Sequence, residues 1–267
     1  MDSMRDNVVV ITGASKGIGA ELARQLAPQG ARLALSGRDT VALKSVSAAC
    51  RHLGAVVEVI PADVAVEQDC QHLIEQTVAR FGRLDTLVNN AGVTMWARFE
   101  DIQDLAMVAR IMQVNFMGAV YCTGHALPHL KASRGRIVGI ASHTGLTGVP
   151  TRSGYAASKH AMRGFFDSLR IELAGTGVTV TMVYTGFVAT GIGENATGSD
   201  GKPVQVHPVD PTNVMSVEVC ARQIIAATKR RSRELVMTTR GKLVLLAKPF
   251  VPGLVDRLAS RVIERGH

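Results

Sequence analysis

Near its start the chain reads Val8-Val9-Val10-Ile11-Thr12-Gly13-Ala14-Ser15-Lys16-Gly17-Ile18-Gly19. The β-branched residues 8–11 predict a buried strand, and the apolar spacing that begins at Ile18 predicts a helix. Glycine at positions 13, 17 and 19 allows a tight turn and lets a ligand approach the backbone without meeting a Cβ atom. The N–H groups at the start of such a helix bind phosphate well. We therefore predict that this turn binds a nucleotide, in preference to an ordinary strand–helix connection.

Short β-branched runs alternate with helical patterns along the rest of the 267-residue chain. The predicted strands are Val8–Ile11, Arg32–Ser36, Val56–Ile60, Thr86–Val88, Arg136–Ile140, Val178–Val183 and Glu234–Thr238. The predicted helices are Ile18–Pro28, Thr40–Leu53, Glu67–Phe81, Asp104–Leu130, Ser153–Ala174 and Val217–Lys229. This alternation indicates right-handed βαβ crossovers and one parallel sheet. We predict an α/β protein with a single domain over residues 1–267, a Rossmann-type doubly wound fold whose seven-stranded parallel sheet is flanked by helices.

The composition indicates a large and mainly aliphatic core, because hydrophobic residues make up 46% of the chain and aromatic residues only 4%. The net charge is +8, but the basic residues are dispersed except for Lys229-Arg230-Arg231-Ser232-Arg233. We expect that run at the exposed end of a helix, where cations suit the helix dipole. We therefore predict no nucleic-acid partner.

Two further features concern the cellular compartment. The cysteines at positions 50, 70, 122 and 220 form no CxxC pair, and we expect buried thiols in a reducing compartment. No apolar signal region precedes the first strand, and no run approaches the roughly 18 apolar residues of a membrane span. We expect a cytoplasmic protein.

The end of the second predicted strand, Ser36-Gly37-Arg38, bears on the choice of cofactor. Proteins that bind NAD usually place a carboxylate there, to hold the ribose hydroxyls, and this chain has none at Ser36 or Gly37. Arg38 and Lys16 are two cations that suit a 2′-phosphate. Asp39 is better interpreted as the cap of the next helix. We predict NADP(H), with solvated surface cations as the alternative.

Tyr155 and Lys159 are four positions apart on a predicted helix and so share one face. A free tyrosine titrates near pH 10, but a neighbouring ammonium stabilises the phenolate. A tyrosine with a lowered pKa exchanges a proton with an alcohol or a ketone. Ser142 follows a predicted strand, so its hydroxyl is expected at the carboxyl edge of the sheet, where it polarises a carbonyl. These residues predict an oxidoreductase.

Taken together, these motifs resemble those of the classical short-chain dehydrogenase/reductase family, from Val8 to about Thr239. The matching segments are Thr12 to Gly19, Asp63-Val64, Asn89-Asn90-Ala91-Gly92, Asn115, Ser142, Tyr155 to Lys159 and Thr185 to Thr190. The resemblance implies that Tyr155 is the acid/base and that Ser142 orients the substrate carbonyl. It further implies that Lys159 lowers the tyrosine pKa and holds the nicotinamide ribose, and that Asn115 supports a water relaying protons to Lys159.

The resemblance also extends the set of residues expected to bind the cofactor. Asp63 and Val64 would contact the adenine, Asn90 would lie beside the cofactor, and Val188 and Thr190 would contact the nicotinamide end. With the glycine turn and Arg38, the full set is Gly13, Ser15, Lys16, Gly17, Ile18, Gly19, Arg38, Asp63, Val64, Asn90, Ala91, Gly92, Tyr155, Lys159, Gly186, Val188 and Thr190. The family usually has proline where this chain has Thr185, which is expected to shift the backbone near the nicotinamide. Members of this family often form homodimers or homotetramers.

Several features leave alternatives open. Residues 190–213 are rich in glycine and proline, and we expect a lid over the substrate in preference to a merely mobile loop. Residues 241–267 form an apolar and basic C-terminal extension. We favour a pocket wall or a subunit interface for it, and contact with an anionic membrane surface is the alternative.

Two histidine features remain. His143 is either a substrate contact or a polar loop residue. His125 and His129 have the spacing of metal ligands, but Pro128 lies between them and no third ligand is evident, so we predict no metal site.

The sequence thus predicts an NADP(H)-dependent oxidoreductase that interconverts a ketone or aldehyde and an alcohol. Residues expected near the pocket are largely apolar and favour a hydrophobic substrate: Thr94, Met95, Trp96, His143, Leu146 and Val149. A non-catalytic NADP(H)-binding redox sensor is one alternative, and a membrane-associated reductase of lipid-like substrates is another. The residues name neither the substrate nor the physiological direction.

Overall fold

The computed structural model describes residues 3–192, 196–204 and 214–264. The strands are β1 (Val8–Thr12), β2 (Arg32–Ser36), β3 (Val56–Val59), β4 (Thr86–Asn89), β5 (Arg136–Ser142), β6 (Thr179–Thr185) and β7 (Glu234–Val236). They form one seven-stranded sheet in the order β3-β2-β1-β4-β5-β6-β7, and every pair of neighbours is parallel. The predicted doubly wound α/β fold is confirmed.

Helices cover both faces of this sheet. They are α1 (Gly17–Leu26), α2 (Thr40–His52), α3 (Glu67–Phe81), α4 (Ala106–Met112), α5 (Gly118–Ser133), α6 (Ser153–Glu172), α7 (Val217–Lys229), α8 (Thr239–Ala247) and α9 (Pro252–Glu264). Because successive side chains of a strand point to opposite faces, β1 contributes to both halves of the core. Val8 and Val10 pack on one side, with residues of α3, α5 and α6. Val9 and Ile11 pack on the other side, with residues of α1, α2 and α7.

The strand order places a ligand crevice at the centre of the sheet. From β1 the chain moves outward through β2 to β3, then returns to β4 and continues in the opposite direction. The connections after β1 and β4 therefore diverge, and a crevice opens at the carboxyl ends of these strands. The glycine turn follows β1, and Asn90 follows β4.

The long helix predicted over Asp104–Leu130 is interrupted. A π-helical turn, Gln113–Met117, separates α4 from α5. A π-helical turn inserts an extra residue, which apolar spacing does not reveal, and such turns are frequent at functional sites. Pro128 lies inside α5, which continues to Ser133.

The basic run after α7 differs in part from its prediction. The helix ends at Lys229, as expected. The guanidinium of Arg231, however, donates hydrogen bonds to the carbonyl oxygens of Arg134, Gly135 and Gly177, at 3.0, 3.2 and 3.2 Å. Arg231 therefore connects the loops that precede β5 and β6, in addition to its position just after the end of the helix. The four cysteines are buried and free, as predicted.

The segment predicted as a lid lies partly outside the described residues, at 193–195 and 205–213. Of the remainder, Thr197 bridges to Met95 in parallel and to Pro203 in antiparallel orientation. The C-terminal extension forms most of α8 and α9, up to Glu264, and residues 265–267 are not described. No helix within the described ranges combines the length and the apolar character needed to cross a membrane.

Candidate active site

The turn after β1 leaves no room for a side chain at its three glycine positions, 13, 17 and 19. Gly13 and Gly17 have φ of 64° and 57°, in the left-handed region that glycine tolerates. A Cβ atom on Gly19 would lie 2.4 Å from the carbonyl oxygen of Gly13. Helix α1 begins at Gly17, with no side-chain cap at Lys16 and no acidic residue in its first turn. Its first N–H groups therefore face the crevice without a side-chain acceptor, and this donor set fits the pyrophosphate of a dinucleotide.

The end of β4 is fixed against this turn by Thr12 and Asn90. The hydroxyl of Thr12 accepts hydrogen bonds from the N–H groups of Asn90 and Ala91, both at 3.0 Å. The side-chain amide of Asn90 donates to the carbonyl oxygens of Thr12 and Gly13, at 2.9 and 3.1 Å. A Cβ atom on Gly13 would lie 2.8 Å from Cα of Ala91. The two walls of the crevice are therefore held together by hydrogen bonds between side chains and the main chain, and by close packing of the main chain at Gly13.

The residues expected near the adenine end lie beyond β2 and β3. The Arg38 guanidinium lies 3.8 Å from a carboxylate oxygen of Asp63, and its side chain is 70% exposed. An exposed pair of this kind is weak, so Arg38 remains available to a ligand. Asp39 accepts a hydrogen bond from the N–H of Ala42 at 3.0 Å and caps α2, as predicted. Val64 is buried and packs on the start of α5, where a Cβ atom on Gly118 would lie 2.8 Å from it.

Ser142, Tyr155 and Lys159 converge at the carboxyl edge of β5. Ser142 is the last residue of this strand, and its side chain lies close enough to Tyr155 to lower the pKa of the phenol. Tyr155 and Lys159 are 8% and 4% exposed on α6. The Nζ atom of Lys159 donates a hydrogen bond to the carbonyl oxygen of Ile140 at 2.9 Å and lies 5.7 Å from the centroid of the Tyr155 ring.

Burial dominates the protonation of this cluster. Burial raises the pKa of Tyr155, whereas the Arg152 guanidinium and the hydrogen bond with Ser142 act in the opposite direction. Burial also lowers the pKa of Lys159 to about 8. Arg152 is therefore a cation beside Tyr155 that the sequence did not suggest, while the Lys159 ammonium donates to the Ile140 carbonyl oxygen. The expectation that Lys159 also lowers the tyrosine pKa stays a prediction.

Asn115 lies in the π-helical turn and joins three segments. Its side-chain amide donates to the carbonyl oxygen of Val93 at 3.0 Å and to the hydroxyl of Ser158 at 2.9 Å. Its side-chain oxygen accepts from the N–H of Val93 at 2.8 Å. A Cβ atom on Gly92 would lie 3.2 Å from that oxygen and 3.7 Å from Nζ of Lys159. Asn115 and Lys159 thus approach the same stretch of backbone after β4.

The segment after β6 reaches back to the glycine turn. A Cβ atom on Gly17 would lie 2.9 Å from Cβ of Thr190, and Ile18 and Val188 pack on the same side of the core. The structure therefore brings the sequence-predicted site residues to the carboxyl edge of the sheet, in the segments after β1 to β6 and at the start of α6.

Thr185, where the family usually has proline, is the last residue of β6 and pairs with Ser142 of β5. Its hydroxyl donates a hydrogen bond to the carbonyl oxygen of Ala141 at 3.2 Å. Threonine retains the N–H that proline lacks, so the strand continues to the level of Ser142.

His143 contacts the C-terminal extension. Its Nε2 lies 3.5 Å from the hydroxyl of Thr238, and a Cβ atom on Gly241 would lie 2.4 Å from the same nitrogen. Burial lowers the pKa of His143, which favours the neutral imidazole. The start of α8 therefore packs directly against the residue that follows Ser142.

Arg152 is a residue of this site that the sequence analysis missed. It is 8% exposed, and its Nη1 donates to the hydroxyl of Thr94 at 2.8 Å. Its Cζ lies 4.1 Å from the ring centroid of Trp96 and 5.8 Å from that of Tyr155. Burial lowers its pKa to about 10. Its position three residues before Tyr155, just before the start of α6, was the available signal.

His125 and His129 both lie on α5, and Nε2 of His125 is 3.6 Å from a carboxylate oxygen of Glu67. Among the described residues, no three His, Cys, Asp or Glu side chains are grouped so that they could hold a metal ion.

The sequence matches the model of the family described as short chain dehydrogenase over residues 7–200. The chain therefore belongs to the short-chain dehydrogenase/reductase family, as its motifs predicted, and it is an oxidoreductase. It is 38% identical over 265 residues to the 11-beta-hydroxysteroid dehydrogenase 1A of Arabidopsis thaliana, covering 96% of this chain and 75% of that protein. It is 40% identical over 265 residues to the 11-beta-hydroxysteroid dehydrogenase A of Arachis hypogaea, with the same two coverages of 96% and 75%.

Two solved structures share the fold. A short chain dehydrogenase/reductase from Burkholderia phymatum, in complex with NAD, superimposes with a TM-score of 0.84 at 25% identity, over 96% of this chain and 97% of that one. An alcohol dehydrogenase from the archaeon Thermococcus sibiricus, complexed with 5-hydroxy-NADP, gives a TM-score of 0.74 at 25% identity, over 86% of this chain and 95% of that one.

Proposed function

We propose that this protein is an NADP(H)-dependent oxidoreductase that interconverts a ketone or aldehyde and an alcohol. The observation that carries the proposal is the convergence of Ser142, Tyr155 and Lys159 at the sheet edge, beside the glycine turn. When bound, the nicotinamide supplies or accepts the hydride at its C4 position.

Tyr155 exchanges the proton with the substrate oxygen, because its phenol is buried beside a hydrogen-bonding serine and a cation. The Ser142 hydroxyl binds the same oxygen and polarises the carbonyl. Lys159 holds the nicotinamide ribose, and its ammonium keeps a second positive charge close to the phenol. Asn115 fixes the π-helical turn against α6 and supports a proton relay to Lys159.

The preference for NADP(H) rests on Arg38 and Lys16. Both side chains are exposed near the crevice, and no carboxylate follows β2 at Ser36 or Gly37. Two cations at this place suit the 2′-phosphate. The first N–H groups of α1 bind the pyrophosphate. The other proposed contacts are made by Ser15, Asp63, Val64, Asn90, Ala91, Gly92, Gly186, Val188 and Thr190.

The substrate is proposed to be a hydrophobic ketone or secondary alcohol. Met95, Ala97 and Met107 form an apolar cluster with Tyr155, on the side of α6 that faces α4. The relatives named 11-beta-hydroxysteroid dehydrogenases support a bulky apolar substrate of this class.

The proposal extends to the assembly and the cell. We propose a cytoplasmic homodimer or homotetramer, with residues 190–213 as a substrate lid and 241–267 as a pocket wall or interface. The exposed apolar side chains of α8 and α9 support an interface, among them Leu243, Leu246, Leu254 and Leu258.

To test the proposed reductase activity, the loss of NADPH absorbance is measured in the presence of ketones, aldehydes or β-ketoacyl esters. Tyr155→Phe removes the proton donor and is expected to abolish turnover while NADPH still binds. Tyr121→Phe is the matched control, because Tyr121 is half-buried on α5, where its hydroxyl receives a hydrogen bond from Gln113 at 3.4 Å. Tight NADPH binding without any turnover by the unmodified protein would favour the redox sensor instead.

A further inference from the structure

Arg152 is a buried cation that has no carboxylate partner in the described part of the chain. The side chain is 8% exposed, and among the described residues no carboxylate forms an ion pair with it. Of its guanidinium N–H groups, one on Nη1 has a protein acceptor in the described part of the chain, the hydroxyl of Thr94 at 2.8 Å. An arginine rarely remains buried without a carboxylate or phosphate, because desolvation of its charge is costly.

Aromatic stacking accounts for only part of this burial. The Trp96 ring lies against the guanidinium, with 4.1 Å between Cζ and the ring centroid. The attraction between a cation and an aromatic ring is weaker than the cost of leaving a charge unpaired in the interior. Stacking also leaves the edge of the guanidinium plane, where its N–H groups point, available for acceptors.

Arg152 lies beside Tyr155 in the proposed active site. Its Cζ lies 5.8 Å from the Tyr155 ring centroid, and Arg152 immediately precedes α6, the helix that carries Tyr155. The segment that carries Thr94 and Trp96 also pairs with the 196–204 segment, since the N–H of Trp96 donates to the carbonyl oxygen of Thr197 at 2.9 Å. A molecule that reaches Tyr155 therefore passes close to Arg152.

We propose that Arg152 binds a carboxylate of the substrate, so that the protein acts on carbonyl compounds or alcohols that carry an acidic group on an otherwise apolar body. This inference rests on the proposed function and specifies its substrate class. A carboxylate supplies the planar pair of acceptors that matches a guanidinium, and the bidentate pair fixes orientation as well as affinity. The substrate carbonyl is then held at a constant distance from Tyr155.

The single tryptophan of the chain provides a direct measure of binding. Trp96 stacks on Arg152, so an anion that binds the guanidinium changes its fluorescence. The full-length protein is titrated with benzoate and, separately, with benzamide, at constant ionic strength and neutral pH. These probes have nearly the same shape and differ in charge. We expect a saturable change with benzoate at a concentration at least tenfold below that needed with benzamide.

Variants assign the effect to Arg152. Arg152→Gln is expected to weaken benzoate binding about tenfold or more and to leave benzamide unchanged, whereas Arg152→Lys retains part of the preference. Arg98→Gln is the matched control. Arg98 is an exposed arginine two residues after Trp96, and it pairs with Glu100. Equal binding of benzoate and benzamide by the unmodified protein overturns the proposal, even if Arg152→Gln fails to fold. Undiminished benzoate binding by a folded Arg152→Gln protein also overturns it and leaves Arg152 as a positioning residue for Trp96 and Tyr155.

A second comparison separates this inference from the proposed function. Reduction of 4-acetylbenzoate and of its methyl ester is followed with NADPH. We expect a lower KM for the acid, and Arg152→Gln is expected to remove that advantage. Turnover of both ketones with the same KM overturns the carboxylate site and retains the reductase. Turnover of neither, with selective benzoate binding intact, overturns the reductase and retains an anion site at Arg152.

Discussion

The side-chain amide of Asn115 donates a hydrogen bond to the hydroxyl of Ser158 across 2.9 Å. This contact joins the π-helical turn to α6, the helix that carries Tyr155 and Lys159. Both side chains are almost completely buried, and the Ser158 hydroxyl also donates to the carbonyl oxygen of Tyr155 at 2.7 Å. The contact therefore couples the stability of the fold to the position of the proposed acid/base.

Ser158→Ala is expected to lower the free energy of unfolding by about 1–3 kcal/mol, because a buried amide N–H loses its acceptor. Urea unfolding followed by circular dichroism measures this change. Ser168→Ala is the control, since Ser168 is exposed on the same helix and bonds only to the carbonyl oxygen of Gly164 in the described structure. We expect the control to remain within about 0.5 kcal/mol. Equal stabilities of the two variants would contradict the importance of the contact.

Arg38→Ala is expected to weaken NADPH binding about tenfold or more while leaving NADH binding nearly unchanged, because only NADPH carries the 2′-phosphate. Titration with each cofactor measures both affinities. Arg32→Ala is the control, since Arg32 is the first residue of β2, at the end of the strand away from Arg38, and pairs with Asp6. If Arg38→Ala weakens both cofactors equally, the phosphate role is wrong.

Arg152→Gln is expected to shift the pH dependence of alcohol oxidation to higher pH. The positive charge of Arg152 favours the phenolate of Tyr155, so its loss raises the tyrosine pKa. Oxidation requires the basic form of Tyr155, which then forms at higher pH. The measurement is kcat/KM against pH with a neutral alcohol such as 1-phenylethanol. Arg152→Lys and Arg98→Gln are expected to keep the original profile, and an unmoved profile in Arg152→Gln would exclude this influence.

Lys159→Met is expected to abolish turnover and yet stabilise the fold near neutral pH. The folded protein holds the pKa of Lys159 at about 8, below its ordinary 10.5, because burial disfavours the charge. Below pH 8 the folded protein therefore bears the full cost of this buried charge. Between pH 8 and 10.5 the unfolded chain binds more protons, so stability rises with pH.

The corresponding gain for Lys159→Met is up to about 3 kcal/mol at neutral pH, and it decreases as the pH approaches 10.5. Unfolding free energies measured across this range test the expectation. Lys44→Met is the control, because Lys44 is exposed on α2. A destabilised Lys159→Met protein would show that the hydrogen bond to Ile140 outweighs the cost of burying the charge.

Local sequence predicted the fold well, because each strand is a short aliphatic run between two helical patterns. The predicted β1 ended at Ile11 and the observed strand continues to Thr12. Tyr155 and Lys159 were identifiable since their relationship is local, one turn of one helix. The π-helical turn at Gln113–Met117 was not, because one inserted residue leaves the apolar spacing on either side intact.

The contacts of two arginines with distant segments were not predicted. Arg152 is unremarkable in sequence, and its significance comes from Thr94 and Trp96, which the fold brings to it from another segment. Arg231 was expected at the exposed end of a helix, where cations suit the helix dipole, whereas its guanidinium binds carbonyl groups about a hundred residues earlier in the chain, including that of Arg134.

The pairing of Thr185 with Ser142 has a thermodynamic consequence for catalysis. Because β6 continues to this level, the main chain of Ser142 is ordered as part of the sheet when the protein folds. The loss of backbone entropy at Ser142 therefore belongs to the free energy of folding and does not reduce the affinity for a substrate. In the proposed reaction, the main chain that carries the serine hydroxyl is therefore ordered before the substrate binds, so binding needs to order only the ligand and the side chains around it.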